Sequence, residues 1–231
     1  MTTLYEELKS RAPEWEEYTK HEFVEKLGDG TLPLEAFQDY LVQDYLFLVH
    51  FARAHALAAF KSRRLSEIEA VSTAMSGIID ETKLHRKLTA EWGISEDELD
   101  RAPEKMGTVA YTRYVIDTGL AGDVLELQIA LAPCQIGYAE IGTYLAPRLE
   151  GREDHPYSDW ITTYAAEDFQ GMGQASIETL DRLAEMPAED LVGTPRFERL
   201  LDIFRTASRL ERDFWQQALD SVGSAHGIKE S

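Results

Sequence analysis

Between residues 37 and 51 the chain places Phe37, Tyr40, Leu41, Asp44, Phe47, Leu48 and Phe51 at spacings of three and four. That period puts all of them on one face of an α-helix; a strand would need same-side residues at every second position. The same spacing returns in Leu127, Leu131, Cys134, Tyr138, Ile141 and Leu145, and again in Leu200, Phe204, Ala207, Glu211, Phe214 and Ala218. No run combines period-two alternation with the β-branched enrichment of a strand. The chain therefore reads as all-α, with its long apolar stripes covering one another.

Local signals predict where the helices begin and end. Thr3 caps a first helix that runs through Trp15, Tyr18 and Phe23 to a stop at Gly28-Asp29-Gly30. Thr31-Leu32-Pro33, with Glu35 behind it, opens a second. Ser66-Glu67-Ile68-Glu69 reads as the capping box of a third, reaching about Glu91 before Gly93. Ser95 to Glu98 opens a short fourth, and Pro103 precedes a fifth that carries Tyr111 and Tyr114 and ends at Gly119. Asp123 caps a sixth, expected to continue through Cys134 to Pro147. Glu150 to His155 reads as a solvated polar loop. Beyond Pro156 a seventh helix carries Trp160, Tyr164 and Phe169, loosens at Gly171 and Gly173, and reaches Met186-Pro187. Thr194-Pro195 opens the last, and the tail after Ser221 reads as frayed. No linker or repeat divides the 231 residues, so one multi-helix bundle forming a single domain, 1–231, is expected.

Charge and cysteine usage exclude several function classes. The net charge of −19 repels phosphate backbones, and no basic recognition helix is visible, which argues against nucleic-acid binding. One cysteine permits neither an intramolecular disulfide nor a cysteine-based metal site. The N-terminus lacks a basic and an apolar signal region, and no charge-free segment approaches membrane-spanning length. A cytoplasmic protein without membrane partners is expected.

Three of the long stripes are interrupted by one polar or reactive group each: Asp44, Cys134 and Glu211. Tyr111, Tyr138 and Tyr164 fall on inner faces as well. An unpaired buried carboxylate is costly, so acids inside a bundle should face one another, a tyrosine hydroxyl or a polar ligand. Aromatic walls with a few convergent polar groups describe a small-molecule pocket. Cys134 directly follows Pro133, and a proline inside a helix costs about 3 kcal/mol. The residues leave two readings of Cys134 open, a small buried hydrophobe or a nucleophile. The proline is expected to free the carbonyl of Ile129 and tilt the thiol inward. Glu81 and His85, four apart, could offer one helical face to iron or form a solvated face; the paired Glu-x-x-His motifs of di-iron bundles are missing.

Gln43-Asp44-Tyr45, followed by His50-Phe51-Ala52, resembles the second-helix signature of the TenA, or thiaminase II, family. Pro133-Cys134, Gly137-Tyr138 and Ile141-Gly142 resemble that family's cysteine motif. Trp160 with Tyr164 and Glu167-Asp168-Phe169 is similar to its next helix, and Glu211 with Phe214-Trp215 to its last. The resemblance implies a haem-oxygenase-like bundle, a homotetramer, no cofactor, and hydrolysis of the exocyclic C–N bond of small aminopyrimidines or thiamin. By the same resemblance Cys134 is the nucleophile and Glu211 the acid/base, while Asp44 holds the aminopyrimidine edge. Phe47, Tyr111, Tyr138, Tyr164 and Phe214 complete the substrate site. Phe47 stands where many members have tyrosine, and Leu210 precedes Glu211 where tyrosine is common. A metal oxygenase on the same bundle, a regulator, and a pyrimidine-binding protein without catalysis are the alternative readings.

Overall fold

In the computed structural model, which describes residues 2–91 and 93–224, every regular element among the described residues is helical. Side chains at 80, 81, 84, 85, 87, 88, 91, 223 and 224 are outside the description, so the Glu81 and His85 pair lies beyond the described residues. The elements are α1 (Leu4–Lys9), α2 (Glu14–Thr19), α3 (Glu22–Asp29), α4 (Leu34–Lys61), α5 (Leu65–Glu91), α6 (Glu96–Arg101), α7 (Met106–Ala121) and α8 (Val124–Ala132). A π turn, Pro133–Gly137, leads into α9 (Tyr138–Leu145), and a 3₁₀ turn, Ala146–Leu149, closes it. Then come α10 (Ser158–Ala165), α11 (Glu167–Ala184), α12 (Ala188–Leu191) and α13 (Pro195–Ser224). Among the described residues no helix is long and apolar enough to cross a membrane.

Several boundaries follow the local signals. Thr3 and Glu6 close a capping box on α1, as do Ser95 and Glu98 on α6. Asp123 accepts from the Glu126 N–H at 2.9 Å, and Gly30, at φ +75°, terminates α3 in the left-handed region.

Other boundaries correct the sequence expectation. The predicted first helix is three short ones, because Pro13 has no N–H with which to continue α1 and the His21 ring caps α3 by accepting from the Phe23 N–H at 3.2 Å. The Ser66–Glu69 box is not used: α5 starts at Leu65, and the Glu67 carboxylate reaches back to the N–H groups of Arg63 and Arg64. Helix α7 continues past Gly119 to Ala121. Gly119 serves packing, since a Cβ there would lie 2.8 Å from side-chain carbons of Leu57 and Leu127. The sixth helix changes type at Pro133. The seventh breaks at Ala166, and α11 runs unbroken through Gly171 and Gly173; a glycine costs about 1 kcal/mol, too little to split a long helix. In the loop expected to be solvated, His155 is 4% exposed, with Nε2 3.0 Å from the Gly28 carbonyl and Nδ1 accepting from the Tyr157 N–H. The last helix continues to Ser224, and the rest of the tail lies outside the described residues.

The chain forms two compact units, each assembled from distant segments. One comprises Met1–Leu32 and Gln128–Arg212, the other Pro33–Leu127 and Asp213–Ser231. The chain passes between them three times, once in the short turn between α3 and α4 and twice inside helices, α8 and α13, so no linker marks the crossings. In the first unit Glu140 of α9 gathers Tyr5, Lys9 and the Trp15 indole, which donates at 3.0 Å, while Trp15 stacks on Phe204 at 5.1 Å. Burial first, then the Glu140 carboxylate, pushes the Tyr5 hydroxyl pKa up. In the second, α4 is the spine, its inner face buried from Ala36 to Ala58.

Candidate active site

The cysteine, expected mid-helix beside a disturbance at Pro133, sits in the π turn. Pro133 lacks the N–H that would serve the carbonyl four residues back, and the backbone answers by widening one turn. Pro133, Ile136 and Gly137 are buried and Cys134 is half-buried. Tyr138, the first residue of α9, is buried and opens a cluster of rings: 5.1 Å to Tyr164 and 6.0 Å to Trp160. Tyr164 lies 4.4 Å from Trp160 and meets Phe169 edge-on at 4.7 Å.

Two features hold this wall, one at Gly142, which the sequence reading carried only as part of the cysteine motif, and one at Gln170, which it did not single out. Gly142 lets the backbone of α10 approach, since a Cβ on it would lie 2.4 Å from the Tyr164 carbonyl carbon. Gln170 Nε2 donates to the carbonyls of Ala139 and Tyr164, both at 2.8 Å, and so fastens α9 to the end of α10. A glutamine four residues into an amphipathic helix carries no sequence signal of that role. Glu211, also in this unit, is 2% exposed on α13.

The second unit holds Asp44, Phe47, Tyr111 and Phe214. Asp44 is 5% exposed, and Tyr40, one turn earlier, directs its hydroxyl at Asp44 Oδ2 across a long 3.4 Å. The two residues flanking Asp44 fix the register of α4. Gln43 accepts from the Lys105 N–H and the Thr108 hydroxyl and donates to the Pro103 carbonyl, at 2.9, 2.6 and 3.1 Å. The Tyr45 hydroxyl donates to Asp100 and accepts from Arg86 at 2.8 Å. Phe47 stacks on Tyr111 at 4.9 Å and lies 5.9 Å from Phe214, while Phe214 meets Tyr40 edge-on at 6.3 Å. The predicted residues thus fall into two sets, one per unit, each a carboxylate or thiol helix backed by aromatic rings.

A cleft of about 280 Å³ in the second unit lies apart from these residues, lined by His50, Arg53, Arg113, Ile116, Asp117 and Leu120. Its cations are mutually occupied: Arg113 forks onto Glu104 at 2.6 Å, and His50 Nε2 sits 3.0 Å from the same carboxylate. Burial, then the Arg113 charge, holds the His50 pKa down.

The model of the TENA/THI-4/PQQC family matches residues 8–221, a span that includes every one of the predicted site residues. The chain belongs to this family. Among TENA/THI-4/PQQC relatives, an uncharacterized protein of Haemophilus influenzae is 40% identical, over 92% of this chain and 97% of its own. An aminopyrimidine aminohydrolase of Halalkalibacterium halodurans is 35% identical, over 94% of this chain and 93% of its own. A solved structure described as a TenA family transcription regulator, from Silicibacter sp. TM1040, superposes with a TM-score of 0.87 at 41% identity, covering 94% of this chain and 96% of that one. A domain from Shewanella denitrificans described as having a heme oxygenase-like fold matches with a TM-score of 0.67 at 10% identity, covering 99% and 97%. That last likeness speaks to the fold alone. The TenA membership and the all-α, haem-oxygenase-like architecture expected from the motifs are both borne out.

Proposed function

We propose that the protein hydrolyses the exocyclic C–N bond of aminopyrimidines, the 5-aminomethyl-4-amino-2-methylpyrimidine and thiamin, giving the hydroxymethylpyrimidine in thiamin salvage. The observation that carries this reading is the 35% identity to an aminopyrimidine aminohydrolase along 94% of the chain. The half-buried Cys134 in its π turn, which leads directly into Tyr138 and its cluster with Trp160 and Tyr164, supports it further.

An aminomethyl group on an aromatic pyrimidine leaves poorly until the ring is dearomatised. In this mechanism the Cys134 sulfur forms a bond to a ring carbon as its proton departs, and a ring nitrogen takes up the electron pair and a proton. The exocyclic C–N bond then breaks, with Glu211 delivering a proton to the departing amine. Water adds at the exposed methylene, returning a proton to Glu211, and expulsion of the sulfur with return of the ring-nitrogen proton to it restores the aromatic ring and the thiol. A free thiol of pKa about 8.5 is only a few per cent ionised at neutral pH, and a carboxylate nearby disfavours the thiolate, so sulfur attack is coupled to proton loss. Ionised Asp44 accepts from the 4-amino group and from a protonated ring nitrogen, and Phe47, Tyr111, Tyr138, Tyr164 and Phe214 are the substrate-binding residues. The working form is a homotetramer of single-domain chains in the cytoplasm, needing no cofactor; light scattering after size exclusion reads the assembly.

The test is ammonia release from the aminopyrimidine, with thiamin cleavage measured alongside. Cys134→Ser should bind substrate, keep its fold and lose turnover. Near wild-type hydrolysis by that variant would reject covalent catalysis, and binding without any ammonia release by the wild type would leave a pyrimidine-binding protein.

A further inference from the structure

We propose that Tyr18 is a positioning residue for Cys134, acting through the π turn. Its ring is fully buried, and its hydroxyl donates to the carbonyl of Pro133, the residue immediately before the cysteine, at 3.2 Å. At the other end of the turn, a Cβ on Gly137 would lie 2.4 Å from Tyr18 Cε1, 2.7 Å from its hydroxyl oxygen and 2.9 Å from Cζ. The tyrosine therefore spans the five residues Pro133–Gly137 along one side, bonded to the first and pressed against the last. Gln135, inside the turn, is held from α11, where the Ser176 hydroxyl donates to its side-chain oxygen at 3.1 Å.

A π turn has poorer hydrogen-bond geometry than the α-helix around it, and it persists where neighbouring structure selects it. Here the selecting group is Tyr18, itself fixed edge-on by Trp15 at 5.8 Å. Without the phenol hydroxyl the Pro133 carbonyl loses a buried donor, and the turn is free to shift toward α geometry. Because the two helix types distribute residues differently around the axis, that shift rotates the Cys134 thiol relative to Tyr138 on the following turn. Tyr18 thus sets the direction of the sulfur without touching substrate.

The catalytic consequence rests on Cys134 being the nucleophile, whereas the structural one does not. Cys134 is the only cysteine, so iodoacetamide alkylation of the intact protein reports on this sulfur alone. The experiment compares the alkylation rate across a pH series for wild type, Tyr18→Phe, Gly137→Ala and the control Gly171→Ala, whose new methyl meets no atom within 4 Å. Each variant is first checked for native far-UV circular dichroism. Tyr18→Phe keeps the ring and removes only the hydroxyl; Gly137→Ala keeps the hydroxyl and displaces the ring. Both should change the rate, or displace its pH profile, by about threefold or more, and the control should not. In the ammonia-release assay Tyr18→Phe should lower kcat about tenfold with KM little changed. Alkylation profiles that overlay the wild type in whichever of the two variants folds would overturn the proposal. If Cys134→Ser retained turnover, the functional reading would fall, and the alkylation profiles would still decide the role of Tyr18.

Discussion

Gly142 and Gly171 both sit inside helices, yet the same change to alanine should move stability in opposite directions. At Gly142 the added methyl would lie 2.4 Å from the Tyr164 carbonyl carbon, 2.5 Å from its oxygen and 2.7 Å from the Ala165 nitrogen. Optimal carbon contacts are about 3.5–4.0 Å, so α9 and α10 would have to part by about 1 Å, and the obstructing atoms are backbone that no rotamer change can clear. Overpacking of this kind costs about 1–3 kcal/mol, against which alanine returns about 1 kcal/mol of helix propensity. Because the obstructing atoms are backbone, the cost falls in the upper part of that range and the net is a loss of about 1–2 kcal/mol, or a Tm lower by about 2–8 °C in a chain of this size. At Gly171 the methyl meets nothing within 4 Å and points from an exposed position of α11, so propensity acts alone and should raise Tm by about 1–4 °C. Thermal melts of the two variants and the wild type, followed by far-UV circular dichroism, read both signs in one experiment. A Gly142→Ala protein melting at or above the wild type would refute the close approach of α9 and α10, and a destabilised Gly171→Ala would refute the unbroken α11.

Asp44→Ala should raise KM and lower kcat together, because its carboxylate holds the ring throughout the reaction, whereas Glu211→Gln should act on kcat; a pure KM effect for Glu211 removes it from proton transfer. Gln43→Leu should lower stability by about 2–3 kcal/mol in urea melts, since it strands the Lys105 N–H, the Thr108 hydroxyl and the Pro103 carbonyl; an unchanged midpoint would show that the amide is not their partner. His55 is 2% exposed beside the Phe51 ring, and burial holds its pKa below the unfolded value of about 6.5. The folded state therefore keeps the ring neutral, and the stability it contributes is present above about 6.5 and lost as pH falls through the depressed folded value. Tm should fall on acidification from neutral pH, and less so in His55→Gln; an equal slope in both would assign the pH dependence to other groups, His50 first among them because its pKa is displaced the same way.

The sequence by itself determined that this chain is helical, where several helices start, and which polar residues interrupt the apolar stripes and so became the candidates for the proposed site. Those signals are local. Capping by Thr3, Ser95 and Asp123 depends on groups three residues away, and the stripes of α4 and α13 repeat every three or four residues, so no tertiary information is needed to read them. Asp44 and Glu211 were legible for the same reason, as acids inside apolar stripes, and both are buried. What tertiary structure decided are the events whose cause lies far along the chain. Pro133 announced a disturbance, but a widened turn is selected where Tyr18, more than a hundred residues upstream, bonds its carbonyl. Gly119 reads as a helix end and Gly142 as an ordinary helix position, and both are places where another segment comes too close for a side chain. His155 reads as loop surface until the Gly28 carbonyl buries it. A glycine's local preference is worth about 1 kcal/mol and an in-helix proline's about 3 kcal/mol, and in each case it is the contact with a distant segment that decides the outcome.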